Sequence, residues 1–220
     1  MNRTRRDFLA GVASLSALSL APAVALADPK TEAAKDAKPL SLFDGKSLTG
    51  WKAIDFGGQG EVKVEDGRIV IATGENLSGI VTTRERELPR MNYEISFEAM
   101  RLDGGDFFCG LTFPVNKDAC SFIAGGWGGA VVGLSSLDGL DASENDTSTS
   151  MGFESERWYA IRTRVLPSRI QCWIDKEKVI DVDTTDRRIG VRIEVDVCTP
   201  LGFATWQTSA ALRKIQVVRV

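Results

Sequence analysis

The sequence predicts an all-β fold, an antiparallel two-sheet β-sandwich or jelly roll. From residue 40 to the end, apolar and polar residues alternate in short runs, the period of a half-buried strand. Turn signals rich in glycine and aspartate separate these runs. No stretch of this region sustains helical periodicity over several turns. About a dozen strands must therefore bury their apolar faces against one another in two layers.

The chain begins with something different. Residues 1–27 read as a twin-arginine signal peptide: a basic head with Arg3, Arg5 and Arg6, the run Thr4-Arg5-Arg6-Asp7-Phe8-Leu9, an apolar stretch, and Ala25-Leu26-Ala27 as cleavage site. Export to the periplasm or cell envelope of a bacterium is the expectation. The apolar stretch is short for a bilayer span and is broken by Ser14, Ser16, Ser19 and Pro22, so no stable membrane insertion is expected after cleavage. Residues 28–39, rich in Ala, Lys, Glu and Asp and without an aromatic residue, read as a solvated linker. Residues 40–220 form the β-domain.

Within that domain, runs 61–65 and 68–72 flank Asp66-Gly67, a two-residue hairpin turn. Run 92–101 alternates cleanly. Tyr93, Ile95, Phe97 and Ala99 point one way; Glu94, Ser96, Glu98 and Met100 point the other. Further strands are expected at 106–113, 120–125, 130–134, 158–165, 169–175, 178–183, 190–197, 202–206 and 212–220, with a tight hairpin at 174–179. The last strand should pair near the first.

Composition narrows the function. The chain carries 27 basic and 30 acidic residues, a formal net charge of −3, and loses three arginines with the leader. A mildly acidic surface excludes nucleic acid and anionic membrane as partners, since both demand a basic patch. The absence of histidine excludes His-based triads, His-ligated zinc and imidazole acid–base catalysis. Cys109, Cys120, Cys172 and Cys198 each sit in or beside an apolar run. They read as buried free thiols, a single disulfide being the alternative.

Three pieces line up with a known family. Ser41-Leu42-Phe43-Asp44-Gly45-Lys46-Ser47-Leu48-Thr49-Gly50-Trp51 resembles the "LFDGK-LTGW" opening of the 3-keto-disaccharide hydrolases, a concanavalin A-like jelly roll. Val64-Glu65-Asp66-Gly67-Arg68-Ile69 is similar to that family's "VEDG" hairpin, and Gly202 to Ile215 to its closing strand pair. The resemblance implies a carbohydrate or glycoside ligand and cleavage of 3-keto glycosides by elimination and hydration. Such chemistry needs a base, an acid and an electrophile near the ketone oxygen. The family's "F-E-L-x-x-E" strand is matched by Tyr93 to Glu98. Where the family has "N-S-G-I", this chain reads Phe108-Cys109-Gly110-Leu111. The other reading is a non-catalytic carbohydrate-binding or cell-envelope module.

Candidate residues follow. Glu98 and Asp106 are the expected acid–base pair, with Asp106 reaching Glu98 across the 102–105 turn, because neighbouring carboxylates push each other's pKa values apart. A solvated outer-face position is the plain alternative for Glu98. In Gly125-Gly126-Trp127-Gly128-Gly129 the glycines permit close backbone approach, and Trp127 either presents its indole to a sugar or plugs the core. The acidic loop with Asp138, Asp141 and Glu144 is a possible calcium site or a loop ordered by Asx turns. Arg192 and Glu194 should share one face of a late strand, lining a polar groove or forming an ion pair.

Overall fold

The computed structural model describes residues 38–220; the signal peptide and nearly all of the expected linker lie outside the described residues. Among the described residues fifteen strands follow one another. They are β1 (Leu40–Ser41), β2 (Trp51–Ala53), β3 (Val62–Glu65), β4 (Arg68–Ile71), β5 (Leu77–Thr82), β6 (Tyr93–Gly104), β7 (Cys109–Val115) and β8 (Asp118–Gly125). After these come β9 (Val131–Ser135), β10 (Thr149–Ser150), β11 (Tyr159–Leu166), β12 (Arg169–Ile174), β13 (Glu177–Asp183), β14 (Gly202–Trp206) and β15 (Thr208–Arg219). An eight-stranded sheet runs β13-β12-β11-β6-β15-β4-β3, with β1 also on β15. A seven-stranded sheet runs β10-β9-β8-β7-β14-β5-β2. All the pairings are antiparallel.

The core lies between the sheets. Ile95, Phe97 and Ala99 of β6 face Leu111, Phe122 and Phe203 of the other layer, all essentially excluded from water. Phe97 meets Phe203 edge-on with ring centroids 4.9 Å apart, and Trp51 lies 5.7 Å from the same ring. Trp51 also donates its indole N–H to the carbonyl of Leu42 at 2.7 Å, which pins the opening segment against the core. Tyr93 donates its hydroxyl to the Pro114 carbonyl at 2.6 Å, a bond from one sheet to the other. The four cysteines are buried and free, packed as small apolar side chains.

The alternation in β6 sorts its faces as expected, and Leu40 opposite Val217 joins the first strand to the last. Asp66 (φ 49°) and Gly67 (φ 74°) form the two-residue turn between β3 and β4. One expected strand is absent. Residues 190–197 do not extend along a sheet; Ile193–Cys198 winds into a 3-10 turn. Its alternating apolar residues find cover only at Val195 and Cys198, three apart, and that spacing belongs to one face of a 3-10 turn. Ile193 and Val197 are left in solvent. Four strands fall outside the expected runs: β1, β2, β5 and β10. In β5 the sequence Leu77-Ser78-Gly79-Ile80 hides its alternation because both faces are covered.

Candidate functional site

A cleft of about 310 Å³ opens on the outer face of the seven-stranded sheet, at the small end of the usual range for ligand sites. Its floor follows from alternation. Cys109, Leu111, Cys120 and Phe122 turn inward, so Gly110, Thr112, Ser121 and Ile123 turn outward. Small residues thus leave a hollow across β9, β8, β7 and β14.

The register gives the cleft two ends. At one end Trp206 lies opposite Leu77, and its backbone N–H donates to the Phe107 carbonyl at 3.1 Å. At the other, two positions back along β8, Ser121 lies opposite Thr112 and Ser135, with 2.9 Å between the Thr112 and Ser121 hydroxyl oxygens. Ile123, opposite Gly110 and Gly133, separates the two.

Asp106 and Trp127 belong to the first end. Gly126–Gly129 forms a tight turn in which Trp127 (φ 48°, ψ 57°) and Gly128 (φ 84°, ψ 21°) are left-handed. Asp106 holds it: Oδ2 accepts from the Gly128 N–H at 2.9 Å and Oδ1 from the Phe107 N–H at 2.7 Å. From below, buried Arg101 donates through Nη2 to the carbonyls of Asp106 (3.1 Å) and Gly129 (3.2 Å). The turn therefore carries Trp127 outward, 45% exposed at the cleft, rather than into the core.

Arg192 and Glu194 wall the second end. They reach it from the start of the 3-10 turn, Arg192 just before it and Glu194 within it, instead of sharing a strand face. The guanidinium grips Glu194 through Nη2–Oε1 (2.9 Å) and Nε–Oε2 (3.3 Å), and also pairs with Asp141. Asp141 in turn accepts from Ser135 Oγ at 3.3 Å. The hydrogen bonds from Arg192 hold Glu194 below the ordinary carboxylate value, so it is an anion at neutral pH. Asp106, Trp127, Arg192 and Glu194, far apart in sequence, line one cleft with Ser121, Ser135, Phe107 and Trp206.

Glu98 lies elsewhere, and the expected pairing with Asp106 does not form. It sits on the outer face of the eight-stranded sheet, accepting from Arg213 Nε at 2.6 Å and Lys214 Nζ at 2.8 Å. The acidic loop does not gather a cation site either: among the described residues no three acidic or cysteine side chains converge on a metal position. Asp138 binds Arg187 (2.9 Å) and the Arg188 N–H (2.8 Å), Asp141 binds Arg192, and Glu144 accepts weakly from the Asp141 N–H at 3.5 Å. Arginines already occupy oxygens of Asp138 and Asp141.

The sequence reading missed Trp206, Phe107, Ser121 and Ser135. A signal for Ser121 existed, since it alternates with buried Cys120 and Phe122 and so belongs to an outer face. Nothing local told which outer face was hollow.

A family model of the 3-keto-alpha-glucoside-1,2-lyase-like domain matches residues 38–218. The chain belongs to this family. It is accordingly a carbohydrate-directed domain. Solved structures share the fold at low identity. A native glycosidic hydrolase is 12% identical over 82% of this chain and 95% of its own, with a TM-score of 0.55. The apo Crh5 transglycosylase is 11% identical, covers 83% of each chain and has a TM-score of 0.53. A protein of Parabacteroides distasonis ATCC 8503 described as a candidate glycosyl hydrolase is 13% identical over 81% of this chain and 92% of its own, with a TM-score of 0.51. None of the curated proteins compared with the chain matches it. Among the described residues no helix is long and apolar enough to cross a membrane.

Proposed function

We propose that this exported domain cleaves 3-keto glycosides in the cleft on its seven-stranded sheet. One observation carries the reading: two indoles, two carboxylates and a guanidinium line a single hollow of ligand size. Glu194, an anion at neutral pH, takes the proton from C2, which the neighbouring ketone acidifies. The electron pair of that bond forms C2=C3 as the ketone's π pair moves onto its oxygen; when the C=O bond re-forms, the pair shifts to C1=C2 and the C1–O1 bond breaks. Arg192 faces the negative charge growing on the ketone oxygen. Asp106 lies at the leaving-group end, where the departing oxygen takes up a proton from water, and a water molecule then adds across C1=C2. Glu98 has no part in this scheme.

The test is release of free sugar from 3-keto-trehalose by the purified domain. Glu194→Gln should lower kcat at least 100-fold with an unchanged melting temperature, since removing a general base costs about 10²–10⁴ in rate. Glu98→Gln should leave the rate unchanged. An unimpaired Glu194→Gln enzyme removes Glu194 from the role. A second reading, a binding module without turnover, is favoured by the way Asp106 and Glu194 are already engaged, one by two backbone amides and the other by Arg192. No sugar release, together with retention on a glycan array, would select it. The export step has its own test. Replacing Arg5 and Arg6 by lysine should leave the protein uncleaved inside the cell, because the exporter reads the paired arginines.

A further inference from the structure

We infer that the cleft selects glycosides whose leaving group is apolar, an aryl or similar ring, over disaccharides. This rests on the cleavage reading only for its choice of substrates; the preference itself is a property of binding.

The two ends differ in chemistry. The end with Arg192 and Glu194 offers a cation and an anion to a polar ring, above Ser121 and Ser135, whose hydroxyls are buried and paired with Thr112 and Asp141. The other is built from Leu77, Phe107, Trp127 and Trp206, with Asp106 as its single charged side chain. Leu77, Phe107 and Trp206 also belong to one apolar cluster with Val195 and Ala204, so this surface continues a small second core. Both Asp106 oxygens accept backbone N–H groups, which reduces what they can offer a ligand.

A second sugar placed here could stack on an indole, as sugars do through their C–H face. Its several hydroxyls would meet almost no partners. A hydroxyl desolvated without a partner typically loses a factor of about ten in affinity. An aromatic ring carries no such cost, and it gains an offset or edge-on contact with each indole. Apolar cover from two sides therefore favours the aryl group.

Two α-glucosides that differ only in the leaving group make the comparison: phenyl α-glucoside and trehalose, titrated by calorimetry into the purified domain. The phenyl compound should bind at least tenfold more tightly. Trp127→Ala, on an exposed turn, should shrink that ratio severalfold while changing trehalose affinity little, and Phe107→Leu should act in the same direction. Equal affinities, or tighter trehalose binding, overturn the inference. The 3-keto forms of the two compounds separate it from the cleavage reading. If neither is cleaved but the phenyl preference stands, the reaction assignment fails and this one survives. If both are cleaved and 3-keto-trehalose has the higher kcat/KM, the reverse holds.

Discussion

Glu98 accepts hydrogen bonds from two consecutive residues, which a regular strand forbids because successive side chains point to opposite faces. The register of β15 slips between Arg213 and Gln216, and Lys214 takes a left-handed φ of 55°, so both cations reach the same carboxylate. Burial pulls Glu98 upward, but the bonds from Lys214 and Arg213 outweigh it and hold the group below the ordinary glutamate value. Its contribution to stability is thus present above pH 4.5 and fades as pH falls through the depressed value. Glu98→Gln should cost about 1 kcal/mol at pH 7 in urea unfolding, since its partners are partly solvated. The gap from wild type should close in acid. A gap that persists at pH 3 would mean that packing, not charge, is lost. The cysteines invite a simpler check. Burial pushes Cys120 and Cys198 up to about 12, and raises Cys109 and Cys172 as well. Iodoacetamide at pH 8 should leave the native protein unmodified by mass, and urea should expose all four thiols.

Elements were legible wherever one face met water. β6 and β11 alternate visibly because one face of each is partly solvated, and the β3–β4 hairpin is marked by its Asp66-Gly67 turn. β5 is covered on both faces and shows no such pattern. The run 190–197 alternates but lacks a partner strand, so hydrogen bonding, not patterning, decided its shape. The glycine turn carrying Trp127 is the element on which the site depends, and its glycines serve different needs. At Gly129 φ is 104° and an added Cβ would stand 2.8 Å from the Gly105 carbonyl oxygen. Gly129→Ala should therefore destabilise the turn by about 1–2 kcal/mol and weaken binding of phenyl α-glucoside, measured by calorimetry. Gly67→Ala is the comparison, because φ there is 74° and the space is open. It should lower stability by about 1 kcal/mol and leave affinity untouched. Equal affinity losses in the two variants would show that the turn has no special hold on the ligand.

At the scale of the molecule, the two sheets divide the work. The eight-stranded sheet carries the Glu94 and Glu98 ion pairs outward, and the seven-stranded sheet carries the cleft. Which strand joins which sheet is set by long-range pairing, for β14 sits between β7 and β5 although β15 follows it in the chain. No local pattern encodes that order. Asp106 and Trp127 could be singled out by type, as could Arg192 and Glu194, yet their meeting depends on the order β9-β8-β7-β14. The same division gives a test that does not need turnover. A ligand bound to the native state alone stabilises it by RT ln(1 + [L]/Kd), about 2.7 kcal/mol at a hundredfold excess over Kd. For a domain of this size that corresponds to a rise in Tm of about 5–10 °C. Glu98→Gln should melt lower without ligand and still gain the full increment with phenyl α-glucoside. Trp127→Ala should start near the wild-type Tm and gain little at the same ligand concentration. Should the increment vanish in Glu98→Gln and persist in Trp127→Ala, the ligand rests on the eight-stranded sheet, and the cleft is not where this protein meets its sugar.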